Sequence, residues 1–484
     1  MTASRAAWGS TTARWTLLAA VLGSGMAFLD GTVVNVALPA IASDLSTDVR
    51  GLQWVLDAYL VTLTALLLLG GALGDRYGRR RMFRFGVIGF ATASLLCGLA
   101  PTTQTLVIAR GLQGVAGALL VPGSLALLSA TITPDDRSRA VGAWSGMTGV
   151  ASALGPFLGG WLIDVASWRW AFLINAPLAV ATLVATSSVP ESSDADAPRH
   201  LDAPGAVAAA VGLVALTGGL IAAGEGWSAP TVLVTAVGIG VLALFVVIER
   251  RSPNPMLPPS LFASAQFTGA NLVTLAVYAG LGSTFFLTVV QLQVGLGYSA
   301  LAAGTALLPV TVMMLLLSAR IGALSQRIGA RLPMTIGPIV VAAGLLWLGQ
   351  IKPGDHYATS ILPAALVFGL GLATTVAPLT AAVLGAVDEH HLGVGSATNN
   401  AVARLAGLLA VALVPSIAGV ELSAGADGGI PGYRTAMAIG AGTCLVGSAI
   451  ALLTIRQSRA VETPTQPAIL QPCHDSSCTE HAAA

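Results

Sequence analysis

The chain has 484 residues, of which 55% are hydrophobic and only 9% are charged, and its formal net charge is +1. A soluble protein carries about 25% charged residues, most of them on its solvated surface. The composition therefore excludes a soluble enzyme, a nucleic-acid-binding protein with a basic face and a disordered chain. It indicates a polytopic membrane protein.

Fourteen apolar segments follow one another along the chain, each close to the roughly 20 residues that a helix needs to cross a bilayer. The alternation of apolar and polar residues that is typical of membrane β-barrels does not occur in them. The first segment is longer than the apolar core of a signal peptide and contains Asp30, so we expect it to stay in the mature protein. We predict an all-α polytopic membrane protein with 14 transmembrane helices at 15–38, 52–72, 82–100, 105–130, 138–163, 169–188, 204–223, 230–248, 266–292, 299–320, 333–350, 361–387, 394–420 and 435–455.

The basic residues predict the orientation of these spans. With the N-terminus placed in the cytoplasm, 17 of the 23 Lys and Arg residues lie on the inner side and 4 on the outer side. Such an excess on the inner side is typical of membrane proteins. We therefore predict a multi-pass protein of the plasma (inner) membrane, with both termini in the cytoplasm.

One ten-residue stretch occurs twice, as Gly71–Arg80 and, with six identical positions, as Gly322–Arg331. Eight predicted spans separate the two copies, so the simplest account is two six-helix halves with two extra helices between them. Internal repeats of this kind are typical of secondary transporters, in which one half rocks against the other. The predicted organisation is an N-terminal half (1–188), linkers with two extra helices (189–260), a C-terminal half (261–456) and a polar cytoplasmic tail (457–484). The sequence contains no Walker-type loop, so we expect no ATP site.

Ionisable residues within spans are costly and usually functional. At 1.5 Å per residue, Asp30, Asp57 and Arg110 all fall about 8 Å below the outer membrane boundary. In apolar surroundings an Arg pairs with a carboxylate, and proton uptake by that carboxylate weakens the pair. We therefore predict that Asp30 and Arg110 act in proton coupling, with Asp57 as a further candidate. Two alternatives stay open: the pair only fixes helix packing, or Asp57 reaches water at the outer face.

A second group of polar residues is assigned to a substrate cavity. Arg404 lies near the middle of the thirteenth span, with Asn399 on the same helix, and Gln113 lies one turn after Arg110. For Arg404 a buried structural role is an equally open alternative.

Two glycine-containing segments are predicted to matter for movement. In the loop after the second span, glycines permit a tight turn, and Asp75 can hold an Arg or cap a helix. We predict a gating loop formed by Gly71, Asp75, Arg76, Gly78, Arg79 and Arg80, which also anchors the topology. In the fifth span, Pro removes a backbone hydrogen bond and glycines admit a close neighbour, which predicts a kink and a packing seam. Its residues are Gly155, Pro156, Gly159 and Gly160.

The polar tail carries Cys473, His474, Cys478 and His481. Their spacing fits no well-formed zinc site, and we expect a flexible tail instead. No metal, cofactor or catalytic residue is predicted.

Four stretches together resemble the major facilitator superfamily, and more narrowly its fourteen-helix drug:proton antiporter branch. Leu29–Pro39 resembles that branch's first-helix signature, and Gly71–Phe83 resembles motif A of the superfamily. Leu106–Ala118 is similar to motif B, which is tied to proton coupling, and Gly155–Gly160 to the antiporter motif C. The resemblance implies proton-driven export, with Asp30 and Arg110 in coupling and Asp75 in gating.

Two positions depart from the family pattern. Ala151 replaces a usual Gly before motif C, and Gln326 replaces the Asp in the second copy of motif A. The second copy therefore lacks the carboxylate that a matching latch in the C-terminal half would need.

The leading functional hypothesis is a proton-coupled antiporter that exports amphipathic small molecules such as antibiotics. One alternative is a narrow-specificity exporter or symporter of one polar metabolite, and another is a non-transporting membrane sensor or scaffold. The expected partners are a small-molecule substrate, protons and the lipid bilayer, with neither nucleic acid nor ATP, and we expect a monomer.

Overall fold

The computed structural model describes residues 6–193, 202–253, 255–387, 392–421 and 430–456. We number its fourteen helical segments in chain order, and each coincides with one predicted span. They are α1 Thr11–Asp44, α2 Val49–Tyr77, α3 Arg79–Gly98, α4 Thr103–Thr131, α5 Pro134–Val165, α6 Trp170–Thr186, α7 Ala203–Ala222, α8 Ala229–Arg251, α9 Ala265–Gly295, α10 Ala300–Ile328, α11 Arg331–Leu348, α12 Tyr357–Leu384, α13 Leu392–Ala418 and α14 Tyr433–Thr454.

Within the described ranges, twelve of these helices are long and apolar enough to cross a membrane. The other two are α3, which begins with a run of arginines, and α6, which is a shorter apolar helix. The described residues contain no β-strand beyond one isolated bridge between Ala6 and Ile132. The all-α polytopic class is therefore confirmed.

Short polar side chains fix where several helices begin. Ser10, Asp48 and Ser228 each accept a hydrogen bond from a backbone N–H in the first turn of the helix that follows. Thr102 and Thr105 form a reciprocal capping box at the start of α4. Because the first N–H groups of a helix have no intrahelical acceptor, these caps satisfy donors that the bilayer would leave unpaired.

Helices α1–α6 pack mainly against one another, and so do α9–α14. The α7–α8 hairpin lies outside these two sets and packs along α2 and α13, one helix from each. Val61 on α2 forms one apolar cluster with Leu213 on α7 and Leu408 on α13. The extra helices therefore contact both six-helix sets.

The repeated stretch adopts similar geometry in both places. Gly78 and Gly329 occupy equivalent repeat positions and have φ angles of 105° and 88°, which only glycine adopts readily. Arg80 donates to the carbonyl of Val189 just after α6, at 2.7 Å, and Arg331 donates to the carbonyl of Leu452 near the end of α14, at 2.6 Å. We call the end of the bundle that carries both turns the Arg-rich end.

The two six-helix sets are joined by hydrogen bonds towards the opposite end of the bundle. Asp164 on α5 accepts from the backbone N–H groups of Ala300 and Leu301, both at 3.0 Å, at the start of α10. Gln293 donates to the carbonyl of Val36 at 3.0 Å. In this conformation the halves therefore contact each other closely at the end away from the arginine-rich turns.

Candidate functional site

The first candidate site is an ion pair in the core of the N-terminal set. Arg110 on α4 donates from Nη1 to Oδ2 of Asp30 on α1 at 2.5 Å, and both side chains are at most 1% exposed. Arg110 also donates from Nε to the carbonyl of Val55 on α2 at 3.0 Å. Three helices therefore meet at one guanidinium, and the pair that we expected from depth alone is present.

The second oxygen of Asp30 is held by amide side chains. Gln113 donates to Oδ1 of Asp30 and to the hydroxyl of Ser94, each at 2.8 Å, while its own carbonyl accepts from Arg110 at 2.7 Å. Asn175 on α6 donates to Ser94 at 3.3 Å and lies 3.5 Å from Oδ1 of Asp30. Gln113 therefore lies within the Asp30–Arg110 network, and Ser94 and Asn175 are members that the sequence did not reveal.

Aromatic rings cover the guanidinium of Arg110. Its central carbon lies 4.4 Å from the ring centre of Tyr59 and 5.7 Å from that of Phe172. Such contacts stabilise a desolvated cation. The rings also exclude water from the pair. Protonation of Asp30 would therefore remove the counter-charge of Arg110 in surroundings where charges interact strongly.

Asp57 shares the depth of this network but not its contacts. It lies on α2 two residues after Val55, is fully buried, and neither of its carboxylate oxygens has a hydrogen-bond partner in the described structure. One turn earlier, Gln53 donates to the carbonyls of Val411 and Ala412 on α13. Asp57 therefore belongs to a buried carboxyl site without donors, separate from the Asp30–Arg110 pair.

The C-terminal polar residues lie apart from each other on α13. Asn399 donates to Asn271 at 3.2 Å and to Thr274 at 2.7 Å, both on α9, so its side chain lies in a helix–helix interface. Arg404 is half-buried, and its charge interacts with the side chain of Tyr59 on α2. Among the described residues it forms no ion pair.

At the Arg-rich end, the turn after α2 is held by two carboxylates. Asp75 pairs with Arg79 at 2.7 Å, one turn apart. Glu191 accepts from the backbone N–H groups of Arg80 and Arg81, at 2.9 and 3.0 Å, and so caps α3. Glu191 is not predicted from the sequence, because the helix that it caps begins more than 100 residues earlier.

The remaining residues of the gating-loop prediction have plainer surroundings. Gly71 lies near Pro122 on α4, and the guanidinium of Arg76 lies over the neighbouring ring of Tyr77, at 5.1 Å. Gly78 ends α2, and a side chain added there would meet the carboxylate of Glu191 at 2.9 Å. The turn thus requires glycine for both its φ angle and its space.

The glycines of α5 permit close contact with helices of both sets. A Cβ on Gly155 would overlap Thr32 on α1, and one on Gly159 would lie 2.8 Å from Val33. On the other side, a Cβ on Gly160 would lie 2.5 Å from the Cα of Leu301 on α10. A Cβ on Gly304 of α10 would likewise overlap the carbonyl oxygen of Pro156 on α5. This seam therefore joins α5 to α1 and to α10.

The Cys and His residues of the tail lie outside the described residues. Within the described ranges there is no group of three or more His, Cys, Asp or Glu side chains that could hold a metal ion.

The sequence matches the family model of the Major Facilitator Superfamily over residues 20–205 and 203–411. It is 34% identical to the puromycin resistance protein pur8 of Streptomyces alboniger, over 95% of each chain. It is 33% identical to the probable actinorhodin transporter of Streptomyces coelicolor, over 88% of this chain and 76% of that protein. Identity to the cephamycin export protein CmcT of Amycolatopsis lactamdurans is 32%, over 95% and 94% of the two chains.

Solved structures support the same fold. A POT family transporter in complex with 5-aminolevulinic acid superposes with a TM-score of 0.66 at 11% identity, covering 90% of this chain and 94% of that one. The inward-open xylose transporter XylE from E. coli superposes with a TM-score of 0.59 at 15% identity, covering 92% and 96%.

Proposed function

The chain belongs to the major facilitator superfamily, and from that premise we propose that it is a proton-coupled exporter of amphipathic small molecules, including antibiotics. Relatives that match over most of their length are named for resistance to puromycin and for the export of cephamycin. The observation that carries the proposal is the fully buried Asp30–Arg110 pair, since a scaffold or sensor does not need such a pair in the membrane.

We propose that Asp30 is the carboxylate that takes up the coupling proton. When Asp30 is ionised, Arg110 and Gln113 neutralise and bind its two oxygens. When it is protonated, Arg110 loses its counter-charge and keeps the carbonyls of Val55 and Gln113 as acceptors. Because the three helices α1, α2 and α4 meet at this guanidinium, a change in its pairing alters how they pack.

Asp57 is a second proposed proton carrier. An ionised carboxylate without a donor is costly in an apolar site, so this group is suited to bind and release a proton as water reaches it. Its position on α2 beside α13 links proton binding to the contact between the two halves. Arg404, half-buried on α13, is the proposed contact for a polar group of the substrate.

We propose that alternating access opens and closes the two ends of the bundle in turn. We propose that the Arg-rich end faces the cytoplasm, as the distribution of basic residues predicts. The Asp75–Arg79 pair and the Glu191 cap then hold the cytoplasmic turn, while the seam of α5 and α10 closes the outer end. The chain is thus assigned to a plasma membrane, as two six-helix halves with the α7–α8 hairpin between them.

Transport by everted membrane vesicles tests this proposal directly. Vesicles from expressing cells should accumulate puromycin when their interior is acidified, and vesicles containing the Asp30→Asn variant should not. The matched control is Asp135→Asn, the same substitution at an exposed position of α5. Puromycin uptake by the Asp30→Asn vesicles that equals the control would refute the coupling role, and proton-driven movement in the opposite direction would refute export.

A further inference from the structure

Two carboxyl groups outside the transport network face each other at the Arg-rich end of the α7–α8 hairpin. Asp202 caps the start of α7, and Glu249 lies near the end of α8. They are 7% and 3% exposed, and their carboxylates lie beside each other over Gly205. This pair is not part of the site described above.

Each carboxyl group has one satisfied and one unsatisfied oxygen. Asp202 Oδ1 accepts from the N–H of Gly205 at 2.9 Å, and Glu249 Oε2 accepts from the N–H of Leu257 at 2.9 Å. The other two oxygens, Asp202 Oδ2 and Glu249 Oε1, are buried and have no donor among the described residues. Both lie over the same glycine, because a Cβ on Gly205 would be 2.7 Å from one and 2.8 Å from the other.

Nothing in the described surroundings compensates two negative charges at this point. Helix α7 and the segment 255–263 carry no other charged side chain, and Arg250 and Arg251 of α8 are exposed. Among the described residues neither carboxylate forms an ion pair, and the charge that acts most strongly on Glu249 is that of Asp202. Helices α2 and α13, the other neighbours of α7, carry five charged residues. Those residues are Arg50, Asp57, Asp75, Arg76 and Arg404. Two ionised carboxylates in contact repel each other, and the usual solution is one proton shared between them.

We propose that Asp202 and Glu249 bind a single proton between Asp202 Oδ2 and Glu249 Oε1, and that this proton fastens the Arg-rich end of the α7–α8 hairpin. The proton forms an O–H donor on one carboxyl group, which donates to the carboxylate of the other. Loss of the proton leaves two facing anions, which separate. Because Glu249 also binds the N–H of Leu257, separation loosens the linker that leads from the hairpin into α9.

The sign of the pH effect follows from this arrangement. The folded pair binds a proton more tightly than two separated carboxyl groups do, so its stabilising effect is present at low pH and is lost as the pH rises. The site would therefore report the pH on the side of the membrane that the Arg-rich end faces. A metal ion is a poorer fit, because no third His, Cys, Asp or Glu joins the two carboxylates within the described ranges.

Thermal unfolding of the purified full-length protein in detergent, from pH 5.5 to pH 9, tests the proposal. The melting temperature of the wild type should fall by several degrees more than that of Asp202→Asn across this range. The Asn variant keeps the helix cap, because Asn is also a preferred N-cap residue. Its amide N–H donates to Glu249 at every pH, so the contact no longer needs a titratable proton. Asp135→Asn serves as the matched exposed control and should behave like the wild type.

A second variant tests whether the effect of Asp202→Asn is confined to position 202. Glu249→Gln should lose the same part of the pH dependence, because its amide donates to Asp202. An Asp202→Asn curve parallel to that of the wild type would overturn the proposal, and so would failure of both amide variants to fold. Saturable stabilisation of the wild type at pH 9 by Na⁺, Mg²⁺ or Ca²⁺, absent in Asp202→Asn, would show a cation site instead and overturn it.

Discussion

The buried pair between Asp30 and Arg110 allows a quantitative test by a double-mutant cycle. The three variants are Asp30→Asn, Arg110→Gln and the double substitution. Removing one partner of a buried ion pair costs about 3 to 5 kcal/mol, because the other charge is left uncompensated. The cycle therefore separates the pairing itself from other effects of each substitution.

The structure places the expected costs at the low end of that range. After Asp30→Asn, Arg110 still has the carbonyls of Val55 and Gln113 and the ring of Tyr59. After Arg110→Gln, Asp30 keeps the Gln113 amide at 2.8 Å. We expect each single variant to lose about 3 kcal/mol of the free energy of unfolding. The double variant should lose less than the sum of the two, with an interaction energy of about 2 to 3 kcal/mol, since it leaves no buried charge.

Equilibrium unfolding in detergent measures the stabilities, and proton-driven uptake into proteoliposomes measures the coupling. The double variant should be about as stable as either single variant, rather than losing the sum of the two costs. It should not couple protons to transport, because the titratable carboxyl group is gone. Additive costs in the unfolding experiment would refute the pairing argument. Undiminished proton-driven transport by the double variant would show that the pair serves packing alone.

Three further perturbations test other parts of the scheme. Asp57→Asn should reduce the number of protons exchanged per substrate, measured by pH-sensitive dye in proteoliposomes, with little loss of stability because the carboxyl group has no partner to lose. Asp75→Asn should slow exchange severalfold while binding of puromycin, followed by fluorescence, stays near the wild-type value; a collapse of binding with normal exchange rates would contradict a gating role. Gly304→Val should keep the outer end open, because its side chain would overlap the carbonyl of Pro156. Labelling of a cysteine introduced near that seam should therefore increase. Gly142→Ala, which meets no atom within 4 Å, is its control and should leave labelling unchanged.

The hydrophobicity of the segments and the calculated depth of their charged residues were enough to predict the helices and the Asp30–Arg110 pair. All fourteen predicted spans coincide with helices, because backbone groups in lipid must be satisfied within one segment. The depth calculation placed Asp30 and Arg110 at one level, and the structure joins them at 2.5 Å. Depth fixes position along a helix but not direction around it, so Asp57 was assigned to the same group although its side chain has none of those contacts.

Other members of the site depend on tertiary packing. Ser94 and Asn175 are small polar residues on apolar helices, and nothing in their local sequence marks them as partners of Asp30. Glu191 caps a helix that begins more than 100 residues earlier, so no local capping pattern reveals it. The juxtaposition of Asp202 and Glu249 likewise requires the hairpin to close, since the two residues are 47 positions apart in the sequence.

The length of α6 has a consequence for the lipid around this protein. Its apolar helix, Trp170–Thr186, spans about 25 Å at 1.5 Å per residue, some 5 Å less than a typical hydrocarbon layer. Hydrophobic mismatch of this size is relieved by thinning of the adjacent bilayer, and thick membranes resist such thinning. Since Asn175 of α6 contacts the Asp30 network, acyl-chain length becomes a variable of transport, and reconstitution into shorter-chain lipids should favour turnover.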